Sequence, residues 1–498
     1  MLKTSLKQKS QAMHLSKFIQ YLVPLSVSGA FEPEIKNVTL DSRKVIHGSL
    51  FVAICGFKED GARFVEQAIQ KGAVAVISEN HRDDKGIVNL HVADARIAFA
   101  RAARLFYQHA DRKLSLIGVT GTNGKSTTVY LIQAILKEAA LKTGRISTNE
   151  YDLGGKILPA VRTTPEADEL QQLFQQMSCF GCTHAVVETS SHALNLRRLH
   201  DLKFMHACFT NFSHEHLDFH GTMQAYFEAK CRLFDLLTDD GCIAVNIDDA
   251  AGGQIAVKYA KRSLTFSLEE RSADLYAIPQ LDNATLALAS YQGKQYVLQS
   301  NLMGRHNLYN ILAASAVCLS MGIPFEKIAT GVKSFAGVPG RMQRIGNNGS
   351  FELFIDFAHT PEALKVTLRA AREICRRKIF LVFGCGGERD KSKRPLMGAA
   401  AEKYADFSFI TSDNSRLESA EVIQQEIDAG FASRKSRVII PNRRSAIAAA
   451  IHLAKEGDLV LVAGRGHETH MGIGAEIIPF DDGAVCREIL REAKLAAA

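Results

Sequence analysis

The sequence contains no apolar run long enough to cross a membrane, and its N-terminus has no secretory hydrophobic segment. In "MLKTSLKQKSQAMHLSKFIQYLVPL", residues 1–25, lysines interrupt every short apolar stretch. A membrane-spanning helix needs about 20 consecutive apolar residues, and a secretory signal needs an uninterrupted apolar segment. These absences predict a cytoplasmic protein without membrane association. Residues 1–12 are predicted to be a polar extension.

Basic runs with interleaved aromatic residues, which are typical of nucleic-acid-binding proteins, are also absent. The formal net charge of +7 over 498 residues is mild. It suits an anionic small-molecule substrate better than a nucleic acid, and a basic surface without a role is equally consistent with it. Ten cysteines are scattered along the chain, and the single CxxC pair, Cys179 and Cys182, has no second pair to complete a zinc site. This pattern favours a reducing compartment and a structural role for the pair.

The length allows about three domains, and three α/β blocks follow one another. In the first, the helix "DGARFVEQAIQKG" should be capped by Asp60 and end at Gly72. In the second, apolar strands separated by long helices predict a parallel sheet, with an antiparallel edge at 273–303. The third is predicted to be Rossmann-like, with polar residues at the carboxyl ends of its strands, where open parallel sheets bind ligands. The predicted fold is therefore α/β, with three domains: 1–103, 104–338 and 339–498.

The clearest chemistry lies in "GVTGTNGKST", residues 118–127. Its glycines allow backbone N–H groups to approach phosphate oxygens, and the helix that follows adds its positive N-terminal end. Lys125 suits the β and γ phosphates of a nucleotide, and Ser126 suits a magnesium ion. The helix is predicted to end at Gly144 and to bury one face, formed by Val129, Ile132, Leu136 and Ala139.

Acidic and basic side chains follow the next strands. "VVETSSH" ends a buried strand with Glu188 and Ser190, and Lys230 lies on a later helix. A carboxylate is a ligand that magnesium prefers. In the loop between them, potential metal ligands occur at every second position: His214, His216, Asp218 and His220. This pattern leaves a zinc site open as an alternative, although each histidine could be structural.

The segment "TGTNGKST" resembles the nucleotide loop of the Mur ligase family, the ATP-dependent amide-forming enzymes of peptidoglycan precursor synthesis. The folylpolyglutamate synthetases have a similar loop. Both families make an amide from a carboxylate through an acyl phosphate. The resemblance to the Mur ligases covers nearly the whole chain from about residue 13. It implies a ligase that uses ATP and Mg²⁺ on small-molecule substrates, and we expect a monomer.

The resemblance also implies roles for individual residues. The ATP-binding residues would be Gly121, Thr122, Asn123, Gly124, Lys125, Ser126, Thr127, Asn307, Asn310, Arg341 and Asp356. The catalytic and metal-binding residues would be Lys125, Ser126, Glu188, His216 and Lys230. In the family that last lysine carries a carbamate, which is an anionic oxygen ligand, whereas a bare ammonium would be repelled by a metal ion. The N-terminal domain and the "VRTTPEADEL" segment would bind the UDP-linked substrate through Leu40, Ser42, Phe57, Lys58, Glu59, Arg162, Thr163, Thr164, Ser190 and Arg198.

"TSDNSRLE", residues 411–418, resembles the Asp-Asn-Pro-Arg motif by which diaminopimelate-adding members of the family read their amino acid. Arg416 would hold the far carboxylate of diaminopimelate in a bidentate pair, and Glu468 would pair with the distal ammonium. The implied amino-acid site is Arg389, Asp413, Asn414, Ser415, Arg416, Gly464 and Glu468. The implied activity is addition of meso-2,6-diaminopimelate to UDP-N-acetylmuramoyl-L-alanyl-D-glutamate.

Three alternatives stay open. The amine could be L-lysine, which has no far carboxylate for Arg416 to hold. The protein could be a folylpolyglutamate-synthetase-like ligase, although the "DSR" and "DNSR" segments argue against it. It could also be a non-catalytic nucleotide-dependent scaffold, because four positions differ from the residues usual in the family: Arg162, Glu215, Gln343 and Ser415.

Overall fold

The computed structural model describes residues 12–497 except 30–31, 57–59, 85, 281–282, 303, 347–350 and 475. The predicted extension, residues 1–12, lies outside this part apart from its last residue. The chain divides into two compact units, Met1–Gln299 with Leu308–Phe335, and Ser300–Asn307 with Ala336–Ala498. Helices cover mostly parallel sheets in both units, so the predicted α/β class is confirmed. The domain boundaries at 103 and 338 stay predictions. Within the described residues, no helix has both the length and the apolar character needed to span a bilayer.

The first unit begins with a five-stranded sheet of order β2-β7-β6-β5-β4, in which β4 to β7 run parallel. Its elements are β1 (Met13–His14), α1 (Leu15–Leu22), β2 (Ser26–Ser28), β3 (Glu34–Ile35), β4 (Asn37–Thr39), β5 (Ser49–Ala53), α2 (Val65–Gln70), β6 (Ala73–Ser78), β7 (Val88–His91) and α3 (Ala95–Phe106). The carboxylate of Asp60 accepts a hydrogen bond from the Ala62 N–H at 2.9 Å, and Gly72 has a φ of 98°. Asp60 thus caps the 3-10 turn Gly61–Phe64 that leads into α2, and the predicted cap and end of this helical segment are confirmed.

An eleven-stranded sheet follows in the same unit, with the order β11-β10-β9-β12-β8-β13-β14-β15-β16-β17-β18. Its elements are β8 (Ser115–Thr120), α4 (Lys125–Glu138), β9 (Thr143–Ile146), β10 (Glu150–Asp152), β11 (Ile157–Pro159), α5 (Ala167–Cys179), β12 (His184–Glu188), α6 (Ser191–Asn195), β13 (Phe204–Phe209), α7 (Leu217–His220), α8 (Met223–Asp235), β14 (Leu237–Asn246), α9 (Ala250–Lys258), β15 (Ser263–Ser267), β16 (Leu275–Gln280), β17 (Asn283–Tyr291), β18 (Lys294–Gln299), α10 (Arg305–Ser320) and α11 (Phe325–Ser334). Strands β12, β8, β13 and β14 are parallel and β16 to β18 are antiparallel, as predicted.

Helix α4 ends earlier than the sequence predicted. Its last residue is Glu138, Ala140 has a φ of 59°, and the Leu141 N–H donates to the Leu136 carbonyl at 2.9 Å. Gly144 lies instead in β9, where an added Cβ would come within 2.4 Å of the Met177 sulfur. The prediction that Gly144 ends the helix was wrong, because this glycine makes room for a side chain of α5. The predicted buried face is confirmed for Val129, Ile132 and Leu136.

The second unit contains a six-stranded sheet of order β19-β20-β24-β21-β22-β23, whose strands β20 to β24 are parallel. Its elements are β19 (Gln343–Arg344), β20 (Glu352–Asp356), α12 (Pro361–Ile374), β21 (Ile379–Phe383), α13 (Lys393–Tyr404), β22 (Phe407–Ile410), α14 (Ala420–Asp428), β23 (Arg437–Ile439), α15 (Arg443–Leu453), β24 (Leu459–Ala463), β25 (His470–Ile473), β26 (Glu476–Pro479) and α16 (Asp482–Ala497). Apolar clusters cover both faces of the sheet. The carboxyl ends of β21, β22 and β24 meet at one edge, which brings the loops at 384–389, 411–418 and 464–468 together.

Candidate active site

The glycine-rich loop follows β8 and leads into α4. Gly121 and Gly124 have φ values of 143° and 83°. An added Cβ would lie 1.9 Å from Oγ1 of Thr210 at the first position and 2.1 Å from Oδ1 of Asn310 at the second. No side chain caps α4, so the first N–H groups of this 14-residue helix are available to an anion. The predicted nucleotide residue Asn310 therefore lies directly against the loop.

Two lysines share one carbonyl of this loop. The Nζ of Lys125 donates to the carbonyl oxygens of Gly121 and Thr122 at 3.1 and 2.7 Å, and the Nζ of Lys230 donates to the same Gly121 oxygen at 2.6 Å. Lys230 is 1% exposed. Burial and the neighbouring Lys125 ammonium lower the pKa of Lys230 well below its usual range. Lys230 is therefore a buried amine whose charged form is disfavoured by its surroundings, and not a solvated helix residue.

Glu188 is held at the carboxyl end of β12 by three hydrogen-bond donors. Its Oε2 accepts from Oγ of Ser126 at 2.9 Å and from the Thr148 N–H at 3.2 Å, and its Oε1 accepts from Oγ1 of Thr148 at 3.1 Å. The residue is 2% exposed. Ser126 and Glu188 thus place a hydroxyl and a carboxylate side by side, and magnesium prefers oxygen ligands of this kind. Thr148 was not identified from the sequence.

Tyr226 packs between Lys230 and His216. The Lys230 Nζ lies 4.4 Å from the centroid of the Tyr226 ring, and the His216 ring lies 5.9 Å from it. The Tyr226 hydroxyl is 3.3 Å from Oγ1 of Thr122. Burial raises the pKa of Tyr226 to about 12, so the phenol stays protonated. This tyrosine, which the sequence did not single out, connects three of the predicted site residues.

The described histidines of the 214–220 loop are not arranged as a zinc site; the side chain of Asp218 lies outside the described part. The ring of His192 packs edge to face against those of His216 and His220, with centroids 4.8 and 5.6 Å apart. The Nε2 of His216 lies 3.7 Å from Oε2 of Glu215. Across the residues that the structure describes, no group of three or more His, Cys, Asp or Glu side chains is arranged to hold a metal ion. The zinc alternative therefore has no support there.

Three predicted contacts to the UDP-linked substrate line one cavity of about 480 Å³: Leu40, Ser42 and Arg162. Asp168 lies on the wall of this cavity, and burial raises its pKa to about 6. The cavity therefore combines a basic and an acidic side chain. Three further predicted contacts lie outside the described residues: Phe57, Lys58 and Glu59.

The remaining predicted substrate contacts gather at the carboxyl end of β12: Thr163, Thr164, Ser190 and Arg198. Oγ1 of Thr164 donates to the Glu188 carbonyl at 2.7 Å and lies 3.2 Å from Oγ of Ser190. Nη1 of Arg198 donates to the Thr164 carbonyl at 3.0 Å. Thr163 Oγ1 lies 3.1 Å from Oγ1 of Thr148, the residue that holds the Glu188 carboxylate. These four side chains are thus connected to Glu188.

In the second unit, one predicted nucleotide residue, Asp356, is the last residue of β20, and the other two, Arg341 and Asn307, precede this strand in the chain. Asp356 is buried, and its carboxylate accepts from the N–H of Met342, next to Arg341, at 2.7 Å and from the N–H of Ala358, in the turn after the strand, at 2.8 Å. Burial raises the pKa of this carboxyl. The Arg341 guanidinium lies 5.1 Å from the centroid of the Phe357 ring. Asn307, the remaining predicted contact in this unit, is buried.

Asn414 is the centre of the predicted amino-acid site. Its Nδ2 donates to Oε2 of Glu468 at 2.8 Å, and its Oδ1 accepts from the Gly472 N–H at 2.8 Å and from Nη1 of Arg465 at 3.3 Å. Burial raises the pKa of Glu468. Arg465 has a fully buried side chain. It was not identified from the sequence, where its place in the glycine-rich segment "GRGHE" was the one available signal.

Arg416 has a left-handed backbone, with a φ of 51°. Its N–H donates to the Gly472 carbonyl at 3.2 Å and its carbonyl accepts from the Gly474 N–H at 2.7 Å, so the β25–β26 hairpin holds its main chain. Its guanidinium donates to the Gly387 carbonyl. A Cβ added to Gly386 would lie 3.6 Å from Nη1 of Arg416 and 3.9 Å from Cγ of Arg389. The two predicted arginines are therefore neighbours.

The other predicted members lie beside them. A Cβ on Gly464 would lie 2.8 Å from Oδ2 of Asp413, and one on Gly387 would lie 1.9 Å from the carbonyl oxygen of Ser415. Asp413 and Ser415 are both buried. All seven predicted amino-acid residues thus belong to one cluster of loops at the edge of the sheet.

Arg443 holds the main chain beside this cluster, and it was not identified from the sequence. Its Nη1 and Nη2 donate to the carbonyls of Ser412 and Ala463 at 3.2 and 3.0 Å, next to Asp413 and Gly464 in the chain. The same guanidinium pairs with the fully buried carboxylate of Asp482 at 2.7 Å. Arg443 opens the apolar run "RRSAIAAAI", and only its type distinguishes it there.

Three family profiles match the chain. Residues 34–116 match "Mur ligase family, catalytic domain", residues 119–318 "Mur ligase middle domain" and residues 340–466 "Mur ligase, glutamate ligase domain". A protein of Alkaliphilus metalliredigens named UDP-N-acetylmuramoyl-L-alanyl-D-glutamate–2,6-diaminopimelate ligase is 40% identical over 487 residues, which cover 96% of this chain and 98% of that protein. The chain belongs to the Mur ligase family.

Further relatives agree with this membership. A protein of Geobacillus kaustophilus with the same name is 39% identical to this Mur ligase over 489 residues, covering 96% of this chain and all of the relative. A solved structure of a ligase with that name aligns with a TM-score of 0.69 and 31% identity over 97% of this chain and 100% of the other. A solved structure of a MurF ligase from Thermotoga maritima in complex with ADP aligns with a TM-score of 0.57 and 18% identity. The alignment covers 93% of this chain and 98% of the other, and it shows the shared fold.

Proposed function

We propose that this Mur ligase uses ATP to join meso-2,6-diaminopimelate to the D-glutamyl carboxylate of UDP-N-acetylmuramoyl-L-alanyl-D-glutamate, a step of peptidoglycan precursor synthesis. The observation that carries the amine specificity is the cluster of loops that contains both the Glu468 carboxylate, bonded to Asn414, and the Arg416 guanidinium, bonded to the Gly387 carbonyl. The far end of diaminopimelate carries one ammonium and one carboxylate, and this pair of charges matches it. The names of the relatives support the same substrates.

The 121–124 loop and the start of α4 fit the phosphates of ATP. Side chains are excluded at Gly121 and Gly124, and the uncapped N–H groups of α4 are suited to phosphate oxygens. In this proposal Lys125 exchanges its two carbonyl partners for phosphate oxygens. Ser126 and Glu188 would hold Mg²⁺, which would offset negative charge on the phosphates.

In the proposed reaction the D-glutamyl carboxylate attacks the γ-phosphorus of ATP, forming an acyl phosphate and releasing ADP. The uncharged amine of diaminopimelate then attacks the acyl carbon, the amide forms as phosphate leaves, and the nitrogen loses a proton. Thr164, Ser190 and Arg198 would position the acceptor peptide near Glu188.

Lys230 would act as a carbamate in this proposal. Its lowered pKa favours the neutral amine, which can form an N–C bond to carbon dioxide and release a proton. The resulting anion is an oxygen ligand that a bare ammonium cannot replace. Tyr226 and His216 would flank it. A cytoplasmic location and a monomeric state stay predictions from the sequence.

The deciding experiment measures release of inorganic phosphate with Mg-ATP, the UDP-linked dipeptide and one amino acid at a time. We expect release with meso-diaminopimelate and little with L-lysine. No release with all reactants present would refute the ligase proposal and support the scaffold alternative. Equal or better use of L-lysine would remove the specificity argument, and turnover of a folate with glutamate would favour the folylpolyglutamate alternative.

Arg416→Ala tests the amine site directly. We expect the KM for diaminopimelate to rise by about 10-fold or more, because a charge-assisted pair is lost, while the KM for ATP changes little. Arg444→Ala is the matched control, because Arg444 pairs with Glu488 on the surface of the same unit. Parallel changes in both KM values for Arg416→Ala would contradict the assignment.

A further inference from the structure

A second cavity of about 800 Å³ lies in the first unit, between α4 and the β10–β11 hairpin. We call it the lysine cavity, after Lys137, Lys142 and Lys156 in its wall. None of the residues assigned to the nucleotide, the acceptor peptide or the amino acid lines it. Its volume is within the range of about 300–1,000 Å³ that is common for small-molecule sites.

The lysine cavity has an excess of positive charge. Its three lysines are exposed, and none of them joins an ion pair with a described residue. The acidic side chain in its wall is already engaged, because the Asp152 carboxylate accepts from the Gly154 N–H at 2.8 Å and from Nε2 of Gln133 at 2.9 Å. Three ammonium groups around one opening attract an anion.

The wall of the cavity is also apolar and aromatic. Phe335 is buried, Ile157 is 58% exposed, and the ring of Tyr130 lies beneath the guanidinium of Arg145 at 3.5 Å from its centroid. A small inorganic anion would contact the lysines but would leave this apolar surface exposed to water. The combination suits a ligand that carries an anionic group on an aromatic or apolar body.

The lysine cavity is connected to Glu188 through the turn after β9. Arg145 and the Tyr130 hydroxyl both contact Oε1 of Glu150, at 2.5 and 3.2 Å. The Glu150 carbonyl accepts from Oγ of Ser147 at 3.1 Å, and the next residue, Thr148, donates twice to Glu188. A ligand that draws Arg145 away from Glu150 would therefore disturb the turn that positions the Glu188 carboxylate.

From these observations we infer that the lysine cavity is a second binding site, distinct from the substrate sites, for an organic anion with an aromatic body and a phosphate, sulfonate or carboxylate group. Its occupancy changes turnover through the 147–150 turn. The binding stands on the cavity alone, whereas the change in turnover also rests on the proposed function.

The test is an isothermal calorimetric titration of the full chain with 1-naphthyl phosphate in the absence of substrates. We expect saturable binding that is weakened by about 10-fold or more in Lys137→Glu/Lys142→Glu/Lys156→Glu, because three attractive charges become repulsive. The matched control is Lys113→Glu/Lys203→Glu/Lys327→Glu, which changes the net charge equally at exposed positions elsewhere in the unit and should bind as the wild type does.

Three binding results would overturn the inference. Unchanged binding in the first triple variant, or no binding to the wild type, excludes the site. Loss of binding in Lys125→Met but not in the triple variant shows that the probe occupies the nucleotide loop.

The change in turnover is tested separately. A saturating concentration of the probe should alter phosphate release by the wild type and leave release by the triple variant unchanged. Equal release with and without the probe would exclude the connection to Glu188, and absence of any release would instead refute the proposed function.

Discussion

Replacement of Asp482 by asparagine removes the counter-charge of a buried arginine. The side chains of Arg443 and Asp482 are fully buried, and Nε and Nη2 of Arg443 donate to the two carboxylate oxygens at 2.8 and 2.7 Å. Asparagine offers one acceptor oxygen and no charge, so the guanidinium would stay buried without a counter-ion. Loss of one partner of a buried ion pair costs about 3–5 kcal/mol. We expect the free energy of unfolding of the second unit to fall by this amount, measured by urea denaturation followed by circular dichroism.

The double variant Arg443→Met/Asp482→Leu separates the charge from the hydrogen bonds. Without either charge, an apolar pair of similar volume is often neutral in stability. The carbonyls of Ser412 and Ala463 lose their donors, at about 1 kcal/mol each. We therefore expect a loss of about 2 kcal/mol, smaller than that of the single variant. Because these carbonyls adjoin the amino-acid cluster, the KM for diaminopimelate should rise while the KM for ATP is retained.

Glu488→Gln is the matched control, since Arg444 and Glu488 join the same two helices, α15 and α16, at 2.7 Å. These side chains are 40% and 56% exposed, and exposed ion pairs contribute at most about 1 kcal/mol. A loss for Asp482→Asn as small as that for Glu488→Gln would refute the argument that burial of the charge determines the cost.

Three further predictions concern the glycine-rich loop and its lysines. Gly124→Ala should raise the KM for ATP by about 10-fold or more, because its Cβ would collide with Asn310 at a positive φ; an unchanged KM in phosphate-release kinetics would contradict this. Lys230→Ala should abolish phosphate release, and bicarbonate, a small anion that fits the vacated space, should partly restore it; full activity of the variant would show that the lysine is ordinary. In bicarbonate-free buffer, the stability of the wild type relative to Lys230→Met should rise with pH towards the ordinary lysine pKa of about 10.4, because the folded state lowers that pKa and the unfolded state binds more protons. Denaturant titrations at several pH values measure this; a difference in unfolding free energy between the two proteins that does not change with pH would contradict the prediction.

The sequence was sufficient wherever the signal is contiguous. The β8–loop–α4 unit combines an apolar strand, glycines and a Lys-Ser pair in one segment, and each part reports a local requirement of the backbone. The parallel core strands and the antiparallel edge at 273–303 were predictable for the same reason. Gly144 shows the limit of this reasoning. A glycine that ends a helix and a glycine that admits a neighbouring side chain look alike in one sequence, and Met177 decided between them.

Residues that act through distant partners could not be found in this way. Thr148 lies 40 positions from Glu188, and Arg465 lies 51 positions from Asn414. Lys230 lies 109 positions from Gly121, and only the family resemblance marked it beforehand. Threonine and arginine are common on surfaces, so their type alone carries little information. Their importance follows from the sheet order, which places strand ends beside one another.

The carbonyl oxygen of Gly121 has one further consequence. It accepts from both Lys125 and Lys230, and the proximity of the first ammonium is one cause of the weak basicity of the second. In the proposed function Lys125 turns towards an incoming phosphate; that repulsion would then diminish, and a Lys230 amine without a carbamate would gain affinity for a proton. By thermodynamic reciprocity, the charge state of Lys230 on α8 would in turn modulate how tightly the proposed nucleotide loop binds its ligand. The repulsion between two lysines that meet at one peptide oxygen would thereby couple two equilibria that would otherwise be independent.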